Sequence, residues 1–196
     1  MNQNDISTSR RKYLIATGAA TIGTVPLAGC TGGDESGTLA TQVTDQPADI
    51  GDFESLFVTV VGMWLGPDDA EAGDEDEDTE PAGREHYEYD EPQEADLVQL
   101  QDGATQLVDE RDLDVAEYEF LQLEIDDIDA TLEDGSDATV EMPGEAPLTF
   151  NEPFEIREDT RTVFTADFAP VRQGQPGAYV LRPVPEGITV EYEDEE

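Results

Sequence analysis

The chain of 196 residues is 37% apolar, which is enough for one modest hydrophobic core but not for two. Acidic residues outnumber basic ones 49 to 9, for a formal net charge of −40. This balance excludes nucleic acid as a partner, because phosphate binding needs clustered Lys and Arg. One cysteine and one histidine exclude an internal disulfide and a multi-histidine metal or catalytic centre. We therefore expect one folded domain with short appendages.

The N-terminal segment, residues 1–29, has the parts of a signal peptide. Its polar start contains Arg10 and Arg11 in the sequence Ser-Arg-Arg-Lys-Tyr-Leu, which resembles the twin-arginine export signal. The apolar run that follows, 15–28, has fourteen residues, whereas a helix needs about 20 apolar residues to span a bilayer. The segment therefore predicts export of a folded protein rather than a permanent transmembrane anchor.

Cys30 ends the sequence Leu-Ala-Gly-Cys, which is typical of a lipobox. A lone cysteine is otherwise a small buried hydrophobe, but the small residues before Cys30 and the Thr-Gly-Gly after it favour lipid modification. By resemblance to bacterial-type lipoproteins, cleavage before Cys30 would place a lipid on its sulfur, and stable anchoring would need a second chain on the same residue. We expect residues 30–38 to be this lipidated start and a flexible tether, which places the protein on the extracellular face of the cell membrane.

The predicted mature chain carries even less compensating positive charge. The leader contains Asp5, Arg10, Arg11 and Lys12, so its removal leaves 48 acids against six arginines, a net charge of −42. Self-repulsion on this scale disfavours a compact state in dilute buffer. At molar salt the Debye length falls to about 3 Å and the repulsion is screened. A lysine-free chain this acidic resembles the proteins of extremely halophilic archaea, so we expect folding to depend on salt.

One segment is acidic with almost nothing to bury. Residues 68–91 contain thirteen acids in twenty-four positions, and we interpret 66–94 as a solvated loop inserted between two strands. Four of its carboxylates match positions 1, 3, 5 and 12 of an EF-hand loop: Asp74, Asp76, Asp78 and Glu85. The position that requires glycine is Thr79, and flanking helices are missing. Two interpretations stay open, namely a Ca²⁺ site at these four residues and diffuse condensation of cations on the segment.

From residue 39 to 192, short β-branched and aromatic runs separated by turn residues predict an all-β fold. Their spacing favours a single antiparallel β-sandwich, immunoglobulin-like or carbohydrate-binding-like, of about seven to nine strands. Residues 193–196 form an acidic tail. The nearly all-apolar run 56–65 predicts a central strand covered on both faces. Two alternating rows are predicted to face the core: Phe164, Ala166 and Phe168, and Ile188, Val190 and Tyr192.

The segment 118–132 is ambiguous, because its apolar residues also fit helical spacing. A strand here requires the inward row to change phase after Phe120 and again at Asp126-Asp127, which predicts two β-bulges. The hairpin turn at Asp134-Gly135, which leads into another alternating run, favours the strand.

No catalytic constellation emerges. The chain has no glycine-rich phosphate loop and no nucleophile elbow, and its predicted mature part has three serines, Ser36, Ser55 and Ser136. His86 falls in the predicted loop, which disfavours a triad or a metal site built on it. Trp64 is a candidate sugar-stacking platform but, within an apolar strand, is better interpreted as a core residue. We expect a protein that is not an enzyme and has no cofactor, unless the acidic segment binds Ca²⁺.

Four short motifs, taken in order, resemble the domain-of-unknown-function family 4382 of exported bacterial and archaeal proteins. They lie at 43–49 (VTDQPAD), 95–103 (ADLVQLQDG), 118–135 and 177–184 (GAYVLRPV), and the resemblance covers about residues 39–192. It implies a β-rich domain like the sandwiches used as carbohydrate-binding or surface modules, and it brings no established activity. The acidic segment after Gly66 departs from the family pattern.

Two functional hypotheses follow. The first is a lipid-anchored, non-catalytic module that binds a glycan or another component of the cell envelope through the sandwich. The second is a surface protein that responds to divalent cations through residues 68–91. Deletion of that segment separates them, because only the second hypothesis predicts loss of binding.

Overall fold

The computed structural model describes residues 35–45, 48–67, 83–143, 147–174 and 177–194. Within these ranges the chain forms eleven β-strands and three short 3₁₀-helices, and no α-helix. No helix in the described part of the chain is long and apolar enough to cross a membrane. The all-β prediction is confirmed. The strand number exceeds the predicted seven to nine because three of the strands have only three residues each.

The strands are β1 (Ser36–Asp45), β2 (Phe53–Pro67), β3 (Glu85–Asp96), β4 (Gln106–Asp114), β5 (Ala116–Leu132), β6 (Thr139–Glu141), β7 (Leu148–Phe150), β8 (Phe154–Ile156), β9 (Thr160–Arg172), β10 (Ala178–Pro183) and β11 (Thr189–Asp194). The 3₁₀-helices span Ile50–Asp52, Leu97–Leu100 and Pro185–Gly187.

These strands form two sheets. In sheet A the order is β4-β1-β9-β10-β6, and β11 also pairs with β9. In sheet B the order is β3-β2-β5-β7, and β8 also pairs with β5. The prediction of a purely antiparallel sandwich is wrong at two pairs, because β1–β9 and β10–β6 are parallel. Parallel neighbours need a long crossover, and more than a hundred residues separate β1 from β9 along the chain.

The hydrophobic core lies between the sheets. Phe150, Phe164 and Phe168 are among its largest fully buried side chains, and the rings of Phe150 and Phe168 meet edge to face with centroids 5.3 Å apart. Phe164, Ala166 and Phe168 belong to this core, which confirms the first predicted inward row. The second row is only partly correct: Ile188 and Val190 pack against the core, but Tyr192 is 37% exposed under the guanidinium of Arg157.

Strand β5 has the predicted changes of phase. Its register with β2 steps from Tyr118 to Phe120 and from Ile125 to Asp127, so Glu119 and Asp126 are the extra residues. The strand interpretation of 118–132 is therefore confirmed. One bulge lies at Asp126, as predicted, and the second lies at Glu119, just before the predicted position. Close approach of β5 to β2 also explains Gly66, where a Cβ atom would clash with the Phe120 ring.

Three predicted boundaries differ from the structure. Strand β1 begins at Ser36, inside the predicted tether 30–38, and β11 continues to Asp194, inside the predicted tail. Most importantly, β3 occupies Glu85–Asp96, and all but its last two residues lie inside the predicted loop 66–94. The alternation that makes β3 a strand is hidden by charge, because the buried Tyr89 lies between exposed acids. Residues 68–82 lie outside the described part of the chain.

Candidate functional site

A polar groove lies on the outer face of sheet A. Phe164, Ala166 and Phe168 of β9 face the core, so Thr165 and Asp167 face outward. In β1, Gln42 and Thr44 pair in register with these two residues. The groove has a volume of about 550 Å³, and its described lining includes four hydroxyls and three carboxyl groups, from Thr44, Thr105, Thr165, Thr189, Asp45, Asp102 and Glu191. Among the described residues that line it, none is aromatic, histidine or cysteine.

The loop after the second 3₁₀-helix closes one side of this groove. The Thr44 hydroxyl oxygen lies 3.2 Å from the Leu100 carbonyl and 2.8 Å from the Ala104 carbonyl, so its hydrogen is shared between two acceptors. Asp102 and Gly103, which lie between Leu100 and Ala104 in the chain, have positive φ angles of 60° and 82°. Asp and Gly tolerate this left-handed conformation better than other residues do. The sequence Asp-Gly thus positions a carboxylate at the rim of the groove.

Two carboxyl groups are buried in sheet A, and one of them belongs to Asp45, which lines the groove. Asp45 is 2% exposed and Asp167 is fully buried, and they are the only buried acidic residues in the described part of the chain. Asp45 is the last residue of β1, and Asp167 is opposite its neighbour Thr44 in the β1–β9 register. Neither carboxyl oxygen of Asp45 has a hydrogen-bond partner among the described residues. Such an arrangement is costly, because a buried polar group without a partner loses its hydration and gains nothing in return.

The buried position changes the protonation of Asp45. Burial, and secondarily the negative charge of Asp167, raise the pKa of Asp45 to about 8. Without a cation nearby, Asp45 is therefore mostly protonated at neutral pH. A carboxyl group with a shifted pKa beside a groove is typical of functional sites. Asp45 lies within the motif 43–49, whereas none of the four motifs includes Asp167.

Of the predicted calcium ligands, only Glu85 lies in the described part of the chain. It begins β3, and one of its carboxylate oxygens accepts hydrogen bonds from the hydroxyls of Tyr87, at 2.8 Å, and Tyr118, at 3.2 Å. Asp74, Asp76 and Asp78 lie outside the described residues, as do Cys30, Arg10 and Arg11. Among the described residues, no three His, Cys, Asp or Glu side chains converge as a metal cluster.

Trp64 and His86 form a second cluster, on the outer face of sheet B. Their rings stack with centroids 4.0 Å apart. The guanidinium carbon of Arg84 lies 4.5 Å from the centroid of the Trp64 ring, and His86 Nε2 lies 3.1 Å from a Glu124 carboxylate oxygen. The interpretation of Trp64 as a core residue is wrong: its neighbours Met63 and Leu65 are the ones that point inward. His86 lies in strand β3 instead of a loop.

Replacement of His86 by Ala should therefore be visible in the fluorescence of the single tryptophan. Loss of the stacked imidazole exposes the Trp64 indole to water, so we expect its emission maximum to move to longer wavelength. A stacked aromatic pair contributes about 0.5–1.5 kcal/mol, and we expect a loss of stability of that order. The control is Glu88→Gln, an exposed substitution in the same strand. An emission maximum in His86→Ala identical to that of the parent protein would contradict the stacked geometry.

Comparisons with curated proteins and with solved structures gave no match. A family model, described as a domain of unknown function, DUF4382, matches residues 36–183. The matched range runs from the start of β1 to the end of β10, so it includes Asp45, Asp167 and every strand of both sheets except β11. Three residues that line the groove, Gly187, Thr189 and Glu191, lie beyond it. The family resemblance drawn from the four motifs is confirmed, and the chain belongs to the DUF4382 family.

Proposed function

We propose that the protein is a lipid-anchored, extracellular surface module of a halophile that binds a glycan or another envelope component without catalysis. The observation that carries this proposal is the leader, in which Arg10 and Arg11 precede a short apolar run and the lipobox ends at Cys30. The leader directs export, and the lipid on Cys30 holds the domain at the membrane through the segment before β1.

The charge distribution supports the halophilic part of the proposal. All described acidic residues except Asp45 and Asp167 are exposed or half-buried, so the surface of the domain is covered with carboxylates. Arginines neutralise the charge of only a few of these carboxylates. Arg161 binds Glu110 and Glu193, each at 2.8 Å, and thereby links three strands of sheet A. In dilute buffer the carboxylates of such a surface repel one another, whereas molar salt screens this repulsion.

The groove on sheet A is the proposed binding surface. Its threonine hydroxyls can donate and accept hydrogen bonds and its carboxylates can accept them, and the hydroxyls of a sugar can pair with both kinds of group. The fold fits this use, because a two-sheet β domain is the architecture shared by immunoglobulin-like and carbohydrate-binding modules. The alternative of cation response through residues 68–91 has weaker support, because Glu85 is held by Tyr87 and Tyr118.

The anchor is tested by fractionation of cells that express the Cys30→Ser variant. Because serine has no sulfur to carry the lipid, we expect the variant to appear in the medium or to accumulate as an unprocessed precursor. The parent protein, expressed at the same level, should stay in the membrane fraction. A Ser variant that remains there as a normally processed species would rule out the lipid anchor.

The double variant Arg10→Lys with Arg11→Lys should separately block export, and unimpaired export would remove the twin-arginine assignment.

A further inference from the structure

We propose that the pocket at Tyr89 and Arg111, at the open edge between the two sheets, binds a small alkylammonium compound. This pocket shares no described lining residue with the groove of sheet A. The inference therefore does not depend on the proposed binding of a glycan.

The first argument is the way in which two bulged edge strands form this pocket. Strand β3 ends the described order of sheet B, and β4 ends that of sheet A. Residues 89–92 of β3 lie opposite the single residue Val61, and Val108 is an extra residue of β4 opposite Thr41 and Gln42. Bulges at sheet edges re-aim side chains and are common beside functional sites. Residues of both bulges line one pocket of about 420 Å³, a volume that suits a small ligand.

Arg111 reaches into the space between the sheets at this pocket. It pairs with the core residue Leu39 in the β1–β4 register, so its side chain points inward. It donates to both carboxylate oxygens of Asp109, at 2.5 and 2.8 Å. Its guanidinium carbon lies 4.8 Å from the ring centroid of Tyr87 and 5.6 Å from that of Tyr89. These contacts from both sheets hold the guanidinium in place.

The second argument is the hydroxyl group of Tyr89. Tyr89 is 8% exposed, and its hydroxyl oxygen has no hydrogen-bond partner among the described residues. Burial raises the pKa of Tyr89, and the charges of Asp109 and Arg111 act on it secondarily, so the neutral hydroxyl lies near these two pocket-lining groups. A buried hydroxyl without a partner is costly. A ligand that binds to this hydroxyl removes the cost.

The third argument is the balance of charge and hydrogen-bonding groups in the pocket. Arg111 already donates to Asp109, and the Gln93 amide nitrogen donates to the Glu91 carbonyl at 3.0 Å. The described lining has this one basic side chain against five acidic ones, so the pocket attracts cations and repels anions. An ammonium group has a positive charge, three donors and no acceptor, which matches a lining rich in acceptors. The five acids are Glu88, Asp90, Glu91, Asp109 and Glu110.

The apolar part of the lining favours an alkyl chain on the ammonium group. The buried Val108 and the ring of Tyr89 both line the pocket. An alkyl chain buries apolar surface against them, whereas a hydrated alkali ion gains nothing from such a contact. The ammonium group must come from another molecule, because the single lysine of the chain, Lys12, lies in the predicted leader.

The test is equilibrium dialysis of the full mature chain in 3 M KCl with n-butylammonium chloride as the probe. At this ionic strength diffuse attraction to the surface is screened, so we expect one saturable site per chain. Tetramethylammonium has the same charge but no N–H donor, and we expect no saturable binding of it. Tyr89→Phe removes only the hydroxyl and should weaken butylammonium binding about ten-fold or more, the loss expected for one hydrogen bond to a charged group.

Tyr87→Phe is the matched control. The Tyr87 hydroxyl donates to Glu85 at 2.8 Å, and Tyr87 is not among the described residues that line the pocket. This variant should therefore keep the affinity of the parent protein. Without the probe, Tyr89→Phe should melt at or above the temperature of the parent, because it removes a buried hydroxyl that has no partner.

Four results would overturn the proposal. Three concern binding: no saturable site in the parent protein, equal binding of tetramethylammonium, and an unchanged affinity in Tyr89→Phe. The fourth is a melting temperature of Tyr89→Phe below that of the parent in the absence of the probe, which would mean that the hydroxyl has a partner within the fold.

Discussion

In 0.1 M NaCl the mature domain should be largely unfolded, and in 3 M NaCl or KCl it should melt cooperatively with a β-type circular-dichroism spectrum. The reason is a net charge of −42 after removal of the leader, from 48 acids and six arginines. Domains of this size are stable by only about 5–15 kcal/mol. A modest average repulsion for each carboxylate is therefore enough to cancel the stability of the fold.

The strands show how closely these charges are spaced. On β4, the exposed Glu110, Asp112 and Asp114 alternate with inward residues and so share one face. Residues two positions apart in a strand are separated by about 7 Å. The Debye length is about 10 Å at 0.1 M salt and about 3 Å at 1 M, so the repulsion along this row acts in dilute buffer and is screened at molar salt.

The measurement is a series of thermal melts at increasing NaCl concentration. We expect substantial unfolding below about 0.3 M, where the Debye length exceeds about 5 Å. Lowering the pH toward 4 at low salt should partly replace salt, because protonation neutralises the carboxylates. A matched series in KCl separates screening from effects specific to sodium. The same midpoint at 0.1 M and 3 M would refute the halophilic interpretation.

The second large effect is expected from Asp45→Asn, measured in 3 M KCl without divalent ions. The pKa of Asp45 is about 8 in the folded protein, against 3.8 as its ordinary value. The unfolded chain therefore loses this proton near pH 4, whereas the folded protein keeps it to about pH 8. Between these values the folded state binds more protons, so its stability falls as the pH rises and levels off above pH 8. Asparagine does not ionise, so the substitution removes this fall in stability.

We therefore expect the variant to be more stable than the parent at pH 7 by about 2–4 kcal/mol, and nearly equal to it at pH 4. The quantity to measure is the difference in free energy of unfolding between variant and parent across this pH range, because the other carboxylates contribute equally to both. The control is Asp126→Asn, which removes an exposed carboxylate at a bulge of β5. A pH-independent difference for Asp45→Asn would mean that its carboxyl group is not buried as described.

Strand patterns and turns in the sequence were sufficient to predict much of the fold. The apolar run 56–65 lies within β2, the row from Phe164 to Phe168 faces the core, and the phase changes in 118–132 identified β5 as a bulged strand. These predictions succeeded because alternation with period two follows directly from strand geometry. Strand β3 was missed because its exposed face is almost wholly acidic, and the alternation of Tyr87 and Tyr89 is short.

The candidate site was harder to predict, because long-range pairing creates it. Asp167 lies between two core-facing residues of β9, so its position predicts an outward side chain, yet it is fully buried. Its burial depends on the parallel neighbour β1 and on the coverage of this outer face, which no local pattern encodes. The apolar residues Ala169 and Pro170, which continue β9 on both faces, were the available sign that this strand is covered on both sides.

The lipid anchor is tested most directly by mass spectrometry of the protein after extraction from the membranes of a halophilic host. The account predicts an N-terminal peptide that begins at Cys30 and carries the mass of a thioether-linked lipid, with no peptide from residues 1–29. Recovery of a membrane-bound chain that retains the leader, or that has an unmodified Cys30, would contradict it.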